Sequence, residues 1–148
     1  MRPAPTRSLR WRYTPPVAQE IERQVVQMCG AQPGIVAVYL FGSVARGTDR
    51  PSSDVDVAVL FEQPPLARLD GPRLELEGEL ERVLGRRVDL VVLNEAPADL
   101  RIRVLRDGHL LLERDRSRRI AFEVRTRNEA FDLAPMLAAY RAPRMRAS

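Results

Sequence analysis

Three aspartates could do chemistry here. Asp54 and Asp56 stand one residue apart in SSDVDVAVLF, and Asp89 interrupts the apolar run RVDLVVL. Aspartate is a poor strand former and costs free energy when buried unpaired, so acids inside valine-rich segments call for a chemical reason. Side chains alternate faces along a strand, so Asp54 and Asp56 project side by side. Asp89 joins them if its strand pairs with theirs, because cross-strand neighbours lie roughly 5 Å apart. Three carboxylates that close repel one another and raise their own pKa values, a conflict that a divalent cation removes. An all-oxygen donor set suits Mg²⁺ or Mn²⁺. With only His109 and Cys29 as nitrogen or sulfur ligands, the chain cannot build an ordinary zinc site.

Gly42 and Ser43 supply the second half. They follow the β-branched, fully apolar run IVAVYLF at 35–41. A glycine at a strand end lets a ligand approach the backbone closely, and if Ser43 opens a short helix its free amides favour phosphate. Phosphates beside a cation held by carboxylates describe a nucleoside triphosphate site. Taken singly, each feature is weak: most Asp-x-Asp pairs are solvated, Gly-Ser alone is a turn, and Asp89 could pair with Arg86 or Arg87. Their ordered combination is much more specific.

These residues need strands to hold them and helices to cover the strands. Val17, Ile21, Val25 and Met28 recur at helical spacing and predict a first helix, with Thr14 as cap and Gly30 just past its end. IVAVYLF predicts a buried strand and SVARG one short helical turn. In the strand 54–61, Val55, Val57, Val59 and Phe61 take one face and Asp54, Asp56, Ala58 and Leu60 the other. Leu76, Leu80, Val83 and Leu84 mark an amphipathic helix ended by Gly85. After the strand 87–93 comes a helix over 97–107, with Ala98, Ile102 and Leu105 inward. HLLLE is a short strand. Asp115 caps a last helix carrying Ile120, Val124 and Phe131, which Pro135 should kink or end. The order predicts an α/β (α+β) fold: a small mixed sheet with helices packed on it. Three regions follow: a Pro/Arg-rich arm at 1–16, a core at 17–113 and a helical extension at 114–148.

The 148 residues suit one compact domain, and no apolar run is long enough to span a bilayer. The N-terminus lacks the apolar core of a secretory signal, and one cysteine excludes an internal disulfide, so a cytoplasmic protein fits. Cys29 reads as a small buried residue rather than a nucleophile. All 24 basic residues are arginine, which excludes P-loop and Schiff-base lysines. Basic ends flank an acidic middle, a pattern most often of solvated tails, and for which an acidic protein partner otherwise ranks above nucleic acid.

GSVARG (42–47) and SDVD (53–56), with ten residues between Ser43 and Asp54, resemble the DNA polymerase β-type nucleotidyltransferase superfamily, and more closely the minimal nucleotidyltransferase (MNT) antitoxins. The resemblance implies the nucleotidyltransferase fold in a single domain and three metal-binding catalytic residues, Asp54, Asp56 and Asp89. Two Mg²⁺ ions would be bridged by Asp56, and Asp89 would help deprotonate the attacking hydroxyl. Gly42 and Ser43 would bind the β- and γ-phosphates of ATP. Arg46 would reach a phosphate or the partner, or make a local salt bridge. MNT proteins often act as antitoxins against HEPN-type RNase toxins, so the resemblance implies transfer of AMP to a toxin tyrosine.

The residues leave other functions open. A binding antitoxin would mask its toxin stoichiometrically without catalysis. A transferase for a small molecule of the aminoglycoside kind lacks an acceptor domain here. RNA tailing ranks last, with few aromatics and no RNA-binding motif. Phe122, Phe131, Leu133, Met136, Leu137 and Tyr140 lie among arginines, a mixture that fits a partner interface or packing on the chain's own sheet. Trp11 and Tyr13 pose the same question.

Overall fold

In the computed structural model, residues 16–65 and 71–141 are described, the side chains of 133, 134 and 136–141 excepted. Expectations for Trp11, Tyr13, Thr14 and the N-terminal arm through residue 15 therefore lie outside the described residues. The elements run α1 (Pro16–Gly30), β1 (Ile35–Phe41), α2 (Gly42–Arg46), β2 (Val55–Phe61), α3 (Pro72–Leu84), β3 (Val88–Val92), α4 (Ala98–Asp107), β4 (His109–Glu113) and α5 (Arg116–Arg141). This is the mixed α/β architecture expected.

Four strands form one sheet in the order β3-β2-β1-β4. β1 pairs antiparallel with both β2 and β4, whereas β2 and β3 are parallel. A parallel pair needs a crossover, and α3 supplies it. Every residue of β1 is buried, as its unbroken apolar run requires of a central strand covered on both sides. Val55, Val57, Val59 and Phe61 pack with α1 and α3, while Ala58 and Leu60 pack with Val104 of α4 and Phe122 of α5. The predicted alternation of β2 holds, so Asp56 projects toward the α4/α5 side. At the far end of β2, the Asn94 amide bonds both the N–H and the C=O of Phe61 at 2.9 Å, standing in for a missing strand neighbour.

Three helix faces differ from expectation. In α1, Ala18, Ile21, Val25 and Cys29 are buried, while Val17 is 66% exposed. Small Ala18 and Cys29 fit under the helix where a larger residue would lift it. Gly30 is the last helical residue, and the left-handed turn falls at Gly34, with φ 76°. In α4 the inward residue is Val104, flanked by Leu100 and Leu105. In α5, Phe122 and Thr126 are buried, and Ile120, Val124 and Phe131 are exposed. At 100° per residue these three lie within about 20° of the line opposite Phe122. Asp115 does cap α5, its carboxylate accepting from the Arg118 N–H at 3.0 Å. The helix runs through Pro135 to Arg141 instead of ending there. Its first turns are tied to the sheet: the Tyr39 hydroxyl donates to Glu123 at 2.9 Å, and Arg119 bridges Glu113 and Glu123.

Candidate active site

The sheet brings the predicted residues together at one end. Asp56 is paired in register with Phe41 on β1 and with Asp89 on β3. Strands lie about 4.8 Å apart, so Phe41, Asp56 and Asp89 occupy three adjacent positions across the sheet, and Gly42 follows directly on Phe41. Asp54 immediately precedes β2. Asp56 is half-buried, and Asp54 and Asp89 are exposed. None of the three turns into the apolar interior.

Gly42 is required twice over. Its φ of 72° is left-handed, a region that L side chains rarely adopt. A Cβ there would also stand 2.0 Å from Asp56 Oδ2 and 2.9 Å from its Cγ. The Asp56 carboxylate therefore fills the space that every other residue would need. α2 is a single turn of five residues, closed by Gly47 with φ 72°. So short a helix adds little macrodipole, and any phosphate binding there rests on local amides and the Ser43 hydroxyl.

The electrostatics centre on Asp56. Burial raises its pKa first, and the neighbouring charges of Asp89 and Asp54 raise it further; Arg46 and Arg103 act in the opposite direction. Among the described residues, no three Asp, Glu, His or Cys side chains close around one point. The backbone sets the acids side by side, and their carboxylates remain apart as mutually repelling anions should. The donor set nonetheless fits a hard divalent cation, being all carboxylate, partly solvated and relieved of repulsion by positive charge. Cys29, by contrast, is buried and its thiol is pushed up to about 12, so it is inert, as expected. His109 faces Glu22 of α1.

Two arginines escaped the sequence reading. Arg86, named from the sequence only with Arg87 as an alternative ion-pair partner for Asp89, holds the loop before Asp54. Its guanidinium bonds Asp49 Oδ2 at 3.1 Å, the Arg50 carbonyl at 2.9 Å and the Ser53 carbonyl at 2.8 and 3.1 Å. The Val55 N–H donates to the Arg87 carbonyl at 2.8 Å and completes the clamp. No local pattern signals a contact between residues 33–37 apart in the chain. Arg103, an exposed residue of α4, carries no sequence signal either. Arg46 makes no ion pair among the described residues, so its local salt-bridge alternative is not realised there. An open cleft of about 710 Å³ lies at the other end of the strands, against Val36, Leu60, Phe122 and Arg125, away from the carboxylates.

Comparison with known proteins decides the family. The family model described as "Polymerase beta, Nucleotidyltransferase" matches residues 23–117, which hold all six site candidates. The chain belongs to this nucleotidyltransferase family. A protein adenylyltransferase, MntA, of Thermococcus cleftensis is 40% identical to this nucleotidyltransferase over 75 residues, half of this chain and 72% of the relative. A solved toxin–antitoxin structure with AMP-PNP matches at TM-score 0.65 and 30% identity, covering 81% of this chain and 91% of that one. Another, of a tri-AMPylated Shewanella oneidensis HEPN toxin in complex with its MNT antitoxin, matches at TM-score 0.61 and 28% identity, covering 84% and 92%. Among the described residues, no helix of this nucleotidyltransferase is long and apolar enough to cross a membrane.

Proposed function

We propose that this nucleotidyltransferase is the antitoxin of a toxin–antitoxin pair and transfers AMP from ATP to a tyrosine of a HEPN-type RNase toxin in the cytoplasm. The observation that carries the reading is the register of Asp56 with Asp89 beside a glycine whose missing side chain Asp56 fills. Support for the acceptor comes from relatives that are protein adenylyltransferases and from structures of toxin–antitoxin complexes. The outward row Ile120, Val124 and Phe131 offers a partner an apolar strip flanked by arginines.

Asp54, Asp56 and Asp89 would hold the divalent ions, Mg²⁺ by their chemistry. When bound, those ions would offset charge on the attacking and leaving oxygens. The chain's own residues do the rest. Gly42 lets the triphosphate approach the backbone, and the Ser43 hydroxyl donates to a phosphate oxygen. Asp89 accepts the proton of the tyrosine hydroxyl as its oxygen attacks the α-phosphorus. The α–β phosphoanhydride bond breaks and diphosphate leaves, so atoms and charge balance. Positioning provides most of the acceleration.

The test is to incubate the purified chain with its cognate HEPN protein, Mg²⁺ and ATP labelled on the α-phosphate. Label should move to the toxin, with one diphosphate released per AMP, and Asp54→Ala with Asp56→Ala should abolish transfer. An unlabelled toxin, with ATP bound by the antitoxin, would refute it. Growth rescue by that same double variant would favour masking, for which the apolar row on α5 offers a surface.

A further inference from the structure

Two exposed arginines stand close enough for their charge to be felt at Asp56 without pairing with it. Arg46 ends α2 and Arg103 lies on α4, and both are exposed. Asp56 projects to the side of the sheet that α4 covers through Val104. The C-terminal end of α4 closes on β1: a Cβ on Gly108 would stand 3.3 Å from the Leu40 carbonyl, two residues before Gly42. α2 also packs against α4. Arg103, one turn before Asp107, therefore stands over the same end of the sheet as Gly42 and Asp56. The positive charges of Arg46 and Arg103 are both felt at Asp56 and at Asp107.

Neither guanidinium makes an ion pair or hydrogen bond among the described residues. Elsewhere Arg86, Arg101, Arg106 and Arg119 each close onto a carboxylate. Asp107, the acid best placed to take Arg103, is occupied by Arg106 at 2.9 Å. This end of the fold thus has acids at the end of the sheet and two unpaired arginines on the neighbouring helices. Such a distribution suits a ligand that carries both signs, an anion bridged by cations. Three carboxylates and a triphosphate together bring about seven negative charges, and two divalent ions offset about four. Two guanidinia reduce the remainder from about three to about one. Arginine also suits the task by geometry, since its planar fork matches phosphate oxygens bidentately.

We propose that Arg103, with Arg46, binds the triphosphate of the nucleotide from the helix side, opposite the carboxylates, and holds the diphosphate as it leaves. This inference rests on the nucleotidyltransferase reading above. The experiment measures equilibrium binding of ATP and of AMP to the full chain in Mg²⁺. Arg103→Ala should weaken ATP roughly tenfold or more, the loss of a charged hydrogen bond, and change AMP less than about threefold. Arg103→Lys should recover part of the loss, and Arg46→Ala with Arg103→Ala should lose more than either alone. Arg82→Ala, on α3 across the sheet, should leave both affinities unchanged, and the melting temperature of Arg103→Ala should match the wild type. An Arg103→Ala protein that binds ATP as tightly as the wild type, or loses ATP and AMP equally, overturns the proposal. A wild type that binds no ATP, or an Asp56→Asn variant whose binding keeps its Mg²⁺ dependence, overturns the underlying reading instead.

Discussion

Replacing Gly42 by alanine separates two effects that coincide at one atom. Holding a non-glycine residue at φ 72° costs about 1–2 kcal/mol. The added Cβ would also lie 2.0 Å from Asp56 Oδ2 and 3.2 Å from Asp56 Cβ, so the carboxylate must rotate away. Asp56 is half-buried and hemmed in by β1 and β3, so moving it adds about 1 kcal/mol or more of off-rotamer strain. Gly42→Ala should therefore destabilise the protein by about 2–3 kcal/mol in chemical denaturation. Its activity should fall further than its stability, because a displacement of about 1 Å at a reacting group costs on the order of a hundredfold. A double-mutant cycle with Asp56→Ala isolates the contact. With the carboxylate gone, Gly42→Ala should cost only the backbone contribution of about 1–2 kcal/mol. An equal cost in both backgrounds would show that Asp56 does not fill the glycine's space, and a fully active Gly42→Ala would remove the reason for glycine at this position.

The pKa of Asp56 is raised in the folded protein, so its ionised form destabilises the fold above that value, and the penalty vanishes as pH falls below the unfolded value. Asp56→Asn should accordingly raise the melting temperature at pH 7 in the absence of metal, lose that advantage in acid, and be inactive throughout; a destabilised variant at pH 7 would contradict the repulsion. Arg86→Met should cost about 2–4 kcal/mol by removing the partner of Asp49 and of the Ser53 carbonyl, and should lower activity more than tenfold through the loop that delivers Asp54. A variant within 0.5 kcal/mol of wild type, on the order of measurement error, would show that the clamp is dispensable. Thr126→Val should stabilise the protein by about 1 kcal/mol in denaturant titration, because the buried Thr126 hydroxyl has no hydrogen-bond partner among the described residues. Ala58→Asp repeats the acid two positions along the same face, where exposure is 0%; it should fail to fold cooperatively, as judged by circular dichroism, and a native-like melt would refute the burial argument.

The strands and the placement of the candidate site residues were legible because both depend on local order. The unbroken run in β1 and the alternation in β2 are properties of consecutive residues, and Gly42, Ser43, Asp54 and Asp56 are set by the same stretch. Asp89 needed a pairing assumption, which the parallel β2–β3 register meets. Helix faces were harder. In α1 the choice between Val17 and Ala18 is decided by clearance beneath the helix, which periodicity does not contain. In α5 two apolar rows lie on opposite sides, and only the attachment through Glu123 and Arg119 selects which faces the sheet. Arg86 and Arg103 act on residues far along the chain from themselves, so neither leaves a local trace.

The position of the acids along β2 follows from a conflict between chemistry and packing. Val57 to Phe61 are all buried, and they share β2 with Asp56, which the neighbouring charges of Asp89 and Asp54 repel. An acid deeper in the strand would lose its hydration with nothing to replace it, whereas one beyond the strand would lose the fixed spacing to Asp89. Asp56 occupies the one register position where the backbone is already held by β1 and β3 while the side chain still reaches solvent. The same constraint explains the glycine: the central strand must end opposite Asp56, and its next residue must leave room for the carboxylate. Strand length, the left-handed turn and the acid pair are thus one arrangement, and a change in any one of them displaces the others.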